Sequence, residues 1–166
     1  MTNPPFLYKI FKEKGDFIMF GDKKIELATE VKFQRSHKLP LPEITEVESQ
    51  EKLGLIYDLK RTKLLIYNLQ ELQKLLQEIL QVLDEKLILQ EISEKKYRQY
   101  RRYLFAKLYQ EDVECDEKKR ITIPLNVIKH LNLSEKVYMV GKDTHLEIYP
   151  SQESFETIED QTLKLS

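Results

Sequence analysis

Glycine, cysteine and histidine are scarce in this chain: four, one and three among 166 residues. With so few glycines, a glycine-rich phosphate loop has nothing to be built from. A single cysteine, Cys115, rules out an internal disulfide and any thiolate metal cluster. It lies in the strand-like alternation Val113-Glu114-Cys115, which reads as a buried core thiol. His37, His130 and His145 are scattered without ligand spacing, so no metal site is expected. The carboxylates form no pair suited to general acid–base work, and neither an enzyme, a cofactor nor a small-molecule substrate is expected. Also missing is any run of roughly 18 apolar residues, which argues against a membrane span. Lys9, Lys12, Glu13, Lys14 and Asp16 break up the apolar patches of residues 1–20, so no signal-peptide core is expected and the chain should be cytoplasmic. Net charge is −1, so no global polycation announces a nucleic-acid partner.

What is present is repetition. A shift of 82 positions brings Lys60–Glu71 onto Lys142–Glu153, with Lys, Thr, Leu, Ile, Tyr, Gln and Glu recurring without a gap. At the same offset Val31 meets Val113, and Lys38-Leu-Pro-Leu-Pro42 meets Arg120-Ile-Thr-Ile-Pro124. A constant offset over so long a stretch argues for two copies of one structural unit. The division that follows is an N-terminal extension at 1–27, a first repeat at 28–83, an inter-repeat helical segment at 84–109 and a second repeat at 110–163. Each copy is about 55 residues, too small for a secure core of its own, so the copies should share one or oligomerise.

Each copy reads β-turn-β, helix, β-turn-β, helix. In the first, strands are expected at Val31–Phe33, Lys38–Leu41, Leu55–Leu59 and Lys63–Tyr67. Asn68 then caps a helix carrying the stripe Leu72, Leu75, Leu76, Ile79, Leu80 and Leu83. In the second, strands are expected at Glu111–Cys115, Arg120–Ile123, Lys136–Val140 and His145–Tyr149, with Pro124 opening a helix to Leu131 and a last helix from Ser151. Pro42 should open a short helical segment, and Phe17–Phe20 and Lys24–Leu27 read as strands of the extension. Between the copies, Ser93 caps a helix over 93–108 with Tyr97, Tyr100, Leu104, Phe105 and Leu108 on one face. Its other face holds Lys95, Lys96, Arg98, Arg101, Arg102 and Lys107, able either to touch a DNA backbone or to pair with acids of a neighbouring subunit. Hairpins this short are unstable alone, and exchanging them between copies in a small closed barrel would solve that.

The sharpest local feature is Asp116-Glu-Lys-Lys-Arg120 followed by Ile-Thr-Ile-Pro124. A hairpin turn here projects Lys118, Lys119 and Arg120 from a rigid base, and Asp116 can accept from the turn amides and fix the Arg120 guanidinium. Arginine held in this way suits a bidentate contact with guanine O6 and N7, while lysines neutralise phosphates.

Asp-x-x-x-Arg-Ile-x-Ile-Pro at 116–124, with Leu133-Ser-Glu-Lys-Val137, Val140-Gly141 and Leu146-Glu-Ile-Tyr149, resembles the second repeat of MraZ, a bacterial family of duplicated SpoVT-AbrB domains. Tyr97-Arg-Gln-Tyr-Arg-Arg-Tyr-Leu-Phe-Ala106 resembles that family's inter-repeat helix. The resemblance implies an α+β fold of two SpoVT-AbrB-like repeats forming a swapped-hairpin β-barrel with flanking helices. It further implies a homo-oligomeric ring, nucleoid-associated, that binds repeated promoter boxes of double-stranded DNA in the division and cell-wall gene cluster. On that basis Arg120 reads bases, Asp116 orients the loop, and Lys118, Lys119, Arg35 and Lys38 contact phosphates. The first repeat departs from the pattern: Gln34 and Lys38 stand where the acid and the arginine belong. Lysine keeps the charge but loses the planar fork, so base readout by this loop should weaken. Lys119 also replaces the glycine usual before the arginine, which should strain the turn or add a phosphate contact. One alternative is an oligomeric interaction protein of the same fold that has lost specific DNA binding. Another, an antitoxin-type hairpin protein with a toxin-trapping tail, is disfavoured by the ordered second repeat and the short tail.

Overall fold

A computed structural model describes residues 25–42 and 51–157. The protein is α+β, built on an antiparallel sheet. Strands β1 (Ile25–Lys32), β2 (Lys38–Pro40), β3 (Lys52–Tyr57) and β4 (Leu64–Asn68) lead into helices α1 (Leu69–Ile88) and α2 (Glu94–Tyr103). A π-helical turn at Leu104–Leu108 follows, then β5 (Tyr109–Glu114), β6 (Arg120–Thr122), helix α3 (Leu125–His130), β7 (Lys136–Lys142) and β8 (His145–Tyr149). Six strands form one sheet in the order β1-β7-β8-β4-β3-β5, and β2 pairs with β6 in a separate ribbon. β1 therefore pairs with β7, far along the chain, and β5 with β3. The segment expected to turn helical after Pro42 and the strand at Phe17–Phe20 lie outside the described residues.

The pattern of burial follows each strand's place. β1 lies at one edge and alternates half-buried with exposed residues, as a strand covered on one face should. β4 and β8 occupy the middle and are buried almost throughout. Lys24–Leu27 and Val31–Phe33, expected as separate strands, are largely one: β1 runs unbroken from Ile25 to Lys32 with a register irregularity between Ile25 and Leu27.

Helix α1 begins where Asn68 accepts a hydrogen bond from the Gln70 amide at 2.9 Å, satisfying one of the free N–H groups of the first turn. Leu72, Leu75, Ile79, Val82 and Leu83 are its buried face, and the helix ends at Leu89 with Gln90 left-handed (φ 59°). It crosses β3 at Gly54, where an added Cβ would stand 2.1 Å from Leu72 Cδ2. This close approach is what demands glycine there. Ser93 caps α2 through the Lys96 amide at 3.1 Å. The helix expected over 93–108 instead changes to a π turn at Leu104. That wider turn rotates the residues after Tyr103, so Phe105, expected on the apolar face, is 44% exposed while Leu104 and Leu108 are buried. Cys115 is buried as expected, and burial pushes its thiol pKa up. Among the described residues, no helix is long and apolar enough to cross a membrane.

At the centre of the sheet lies a charged cluster that the alternating pattern of β8 does not announce. Glu147 faces Leu65 across the β4–β8 ladder and is 1% exposed. One carboxylate oxygen accepts from Lys63 Nζ at 3.0 Å and Tyr149 Oη at 2.8 Å. The other meets His145 Nε2 at 2.8 Å and lies 3.6 Å from Lys142 Nζ. The Tyr67 ring stacks on His145 at 4.6 Å. Burial pushes the Glu147 pKa up, but the hydrogen bond with His145 and the charges of Lys63 and Lys142 outweigh it. The carboxyl is held well below the ordinary carboxylate range. Lys63 sits on β4's side and Lys142 on β7, so this one acid binds three strands by charge.

Removing Glu147 strands two buried cations, which costs about 3–5 kcal/mol. Glu147→Gln is expected to lose about that much stability in denaturant unfolding. The pKa is lowered in the folded state, so its contribution is present above the unfolded value of about 4.3 and is lost as pH falls below it. Wild-type stability should therefore fall on acidification below pH ~4, and Glu147→Gln should show a shallower fall over the same interval.

Candidate functional site

The two loops that the sequence sets in parallel come together in space. β2 and β6 pair antiparallel, with Lys38 opposite Thr122, Leu39 opposite Ile121 and Pro40 opposite Arg120. Two further backbone bonds extend the ribbon, from the Leu41 amide to the Lys119 carbonyl (3.0 Å) and from the Ile123 amide to the His37 carbonyl (3.1 Å). Leu39 and Ile121 are fully buried and anchor the ribbon on the core. The pairing is antiparallel, so the loops at 34–38 and 116–120 leave opposite ends of a ribbon only three residues long, close enough for their side chains to meet across it.

Each loop is closed by its own backbone. Gln34 and Lys38 exchange amide-to-carbonyl bonds at 2.8 and 3.3 Å, and in the second loop the Asp116 amide donates to the Arg120 carbonyl at 2.9 Å. Both turns need a left-handed residue just before the last position, and both fill it without glycine: His37 at φ 57° and Lys119 at φ 59°. Ser36, at φ 64°, is a second such residue in the first loop. The strain expected at Lys119 is therefore located in its backbone.

Asp116 organises the second loop as its position suggested. Its Oδ1 accepts from the Arg120 amide at 2.8 Å and the Lys118 amide at 2.9 Å. Its Oδ2 accepts from Arg120 Nε at 2.9 Å. Desolvation works to raise the Asp116 pKa, but these bonds from Arg120 and Lys118, with the guanidinium charge, lower it below the ordinary value. A charge-assisted bond at both ends of the loop fixes the Arg120 side chain rather than leaving it to swing.

The second anchor of Arg120 comes from the other loop. Arg120 Nη1 donates to Gln34 Oε1 at 2.7 Å, and Lys38 Nζ lies 3.5 Å from Asp116 Oδ2. Each loop therefore sends its last cation to the first residue of the other or of both. Arg120 is 18% exposed at its side chain, and three of its five N–H groups find no partner among the described residues. Arg35, Lys118 and Lys119 are exposed, and their side chains make no hydrogen bond or ion pair among the described residues. Of the residues singled out from sequence, then, Arg120, Asp116 and Lys38 form one network, and Arg35, Lys118 and Lys119 surround it as free cations. Gln34 joins this network as well. The signal for it was the repeat itself, which places Gln34 at the position of Asp116.

The other cationic feature lies elsewhere. Lys95, Lys96, Arg98, Arg101 and Arg102 of α2 are exposed, with Arg98 3.8 Å from Glu94 and Arg101 Nη1 donating to Tyr97 Oη at 3.2 Å. α2 is tied by Tyr103 Oη to the Leu59 carbonyl, beside the β3–β4 turn. The loop at 116–120 leaves the opposite end of β5, next to Glu51, which accepts from the Cys115 amide at 2.9 Å. The three histidines are apart: His37 in the first loop, His130 bonded to the Arg61 carbonyl, and His145 on Glu147.

Comparison with known proteins adds an independent line. Residues 104–166 match the family model described as "MraZ protein, putative antitoxin-like"; this segment contains Asp116–Arg120 and not Gln34–Lys38. A protein named Transcriptional regulator MraZ from Caldicellulosiruptor saccharolyticus is 31% identical over 84 residues, covering 51% of this chain and 57% of that protein. Another of the same name, from Mycoplasmoides gallisepticum, is 38% identical over 64 residues, covering 39% of this chain and 44% of that protein. The chain spans about half the length of the curated relatives it matches. The likeness to MraZ proteins is thus carried by the C-terminal part of the chain, residues 104–166.

Proposed function

We propose that this protein is a DNA-binding transcriptional regulator that reads duplex DNA through the paired loops at 34–38 and 116–120. The observation that carries the reading is the fixation of Arg120 by Asp116 at Nε. With the Gln34 bond at Nη1, it leaves three N–H groups of a planar donor on a rigid turn without a partner among the described residues. A guanidinium immobilised before binding has little entropy left to lose, and it matches the O6 and N7 acceptors of guanine in the major groove. Lys118, Lys119 and Arg35, exposed on the same two loops, supply charge for phosphates on either side, and Lys38 adds to it. The names of the relatives, both transcriptional regulators, agree with this chemistry.

The architecture supports the duplication behind the reading. Adding 82 to the limits of β2, Lys38–Pro40, gives those of β6, Arg120–Thr122. The sheet order β1-β7-β8-β4-β3-β5 reads the same when each strand of the first half is exchanged for its counterpart in the second. We take this as two SpoVT-AbrB-like repeats, 28–83 and 110–163, around a segment at 84–109 and after an extension at 1–27. Their outer strands are exchanged, in the manner of a swapped-hairpin barrel. One such loop pair contributes modest affinity. Copies joined in a homo-oligomeric ring, facing spaced promoter boxes such as those of a division and cell-wall gene cluster on the nucleoid, gain through effective concentration. The rival reading, an interaction protein without DNA readout, draws on the low exposure of Arg120.

Fluorescence anisotropy with the DNA upstream of its own gene, at two salt concentrations, separates the readings. Wild type should prefer that duplex to a scrambled one, with an affinity that falls steeply with salt. Arg120→Ala should lose roughly 1–3 kcal/mol per contact and most of the preference; equal binding of both duplexes by wild type would sink the regulator reading. Lys119→Gly should do two things at once. Relief of the left-handed backbone, less the entropy glycine gives the unfolded chain, should raise stability by about 0.5–1 kcal/mol. Loss of one phosphate contact should reduce the slope of log affinity against log salt by about 1.

A further inference from the structure

From the geometry of the two loops we infer that Gln34 is a positioning residue for Arg120, and that the first loop has become the support of the second rather than a reader in its own right. The inference rests on the DNA-reading role of Arg120 and specifies how that role is set up.

The sequence alone makes the first loop look merely degraded, since Gln34 and Lys38 replace an acid and an arginine. In the fold the replacement has a use. Arg120 is held at Nε by Asp116 at 2.9 Å and at Nη1 by Gln34 at 2.7 Å. Two acceptors on different nitrogens fix both the position of the guanidinium and the rotation of its plane, which a single bond at Nε leaves free. The plane decides whether the remaining N–H groups can reach O6 and N7 of one guanine together.

The identity of residue 34 matters because of the charges already there. Asp116 is shared between Arg120 and Lys38, the latter at 3.5 Å. A second carboxylate at position 34 would face the same two cations and bring the count of charges to balance. The neutral amide instead accepts a hydrogen bond while leaving the pair of loops with a net positive charge for DNA. The amide oxygen faces Arg120, so its NH2 group is left as a donor at the mouth of the ribbon. Lys38, lacking an acid in its own loop, leans on the second loop's Asp116 and is a point charge without a fork. The pair of loops is thereby asymmetric: one planar base-reading group, two supports, and a ring of phosphate-binding cations. The recognised box should accordingly contain one strongly specified guanine contact per loop pair.

The test uses the full chain with Gln34→Ala and Gln34→Glu, measured in two ways. The first is the ratio of affinities for the upstream duplex and a scrambled duplex, with the salt slope recorded for each protein. Gln34→Ala should reduce the ratio by roughly tenfold or more with the salt slope unchanged. Gln34→Glu, which keeps an acceptor of the same reach, should retain the ratio while weakening binding to both duplexes. The second is the nitrogen-15 spectrum of the Arg120 side chain without DNA. Wild type should show slowed rotation about the Cζ–Nη1 bond, Gln34→Ala should lose it while the Nε–H signal bonded to Asp116 persists, and Gln34→Glu should restore it. An unchanged ratio in Gln34→Ala would overturn the positioning role, as would Arg120 signals identical to wild type. If wild type itself prefers no duplex, the DNA reading fails, and the spectra alone then decide whether Gln34 holds Arg120.

Discussion

Two three-residue strands, β2 and β6, are each too short to persist alone, and they pair with each other in a ribbon separate from the main sheet. Everything at the loops depends on that ribbon. It sets Pro40 opposite Arg120, and so brings Gln34 to a side chain 86 positions away in the chain. It is anchored by Leu39 and Ile121, both essentially without exposure, so its position is tied to the shared core. A rigid ribbon lets the two strained turns persist, because their left-handed residues are over-determined by backbone bonds on both sides. Strain of this kind is common where a side chain must be presented in one orientation.

The core beneath is held by a different sort of constraint. Leu65 and Glu147 face each other on the central strand pair, at equivalent positions of the two halves. One is an apolar contact and the other the hub of Lys63, Lys142, His145 and Tyr149. Two leucines there would pack without specifying how the strands register. A buried acid that needs partners from β7, β8 and the start of β4 can be satisfied in only one register, because any slip leaves it or its lysines unpaired. The asymmetry at the loops thus has a counterpart at the sheet's centre, where one of two facing positions is apolar and the other charged.

What could be read from the sequence follows the range of the interaction. The cap at Asn68 and the leucine stripe of α1 are local, set by spacing on one helix, and the fold has them as expected. The Asp116–Arg120 contact spans four residues and was legible for the same reason. Gln34 was not, because its partner is supplied by a strand pairing that no local pattern encodes; the repeat pointed to the position and its amide chemistry looked like a loss. Glu147 was hidden by alternation. His145-Leu-Glu-Ile-Tyr149 alternates polar with apolar residues, whereas β8 is buried on both sides. Phe105 was misplaced because a π turn breaks the helical period just before it, and nothing in the composition of Leu104–Leu108 signals that turn.

The central claim is that Arg120 reads a guanine, and it can be tested at the level of one atom. The upstream duplex would be prepared with 7-deazaguanine substituted at each guanine in turn, which removes the N7 acceptor and little else. Binding of wild type and Arg120→Ala would then be compared at fixed salt. The account predicts that substitution at one guanine per box weakens wild type by about 1–3 kcal/mol and leaves Arg120→Ala unaffected. Wild-type binding indifferent to every substitution, or weakened equally in Arg120→Ala, would contradict it.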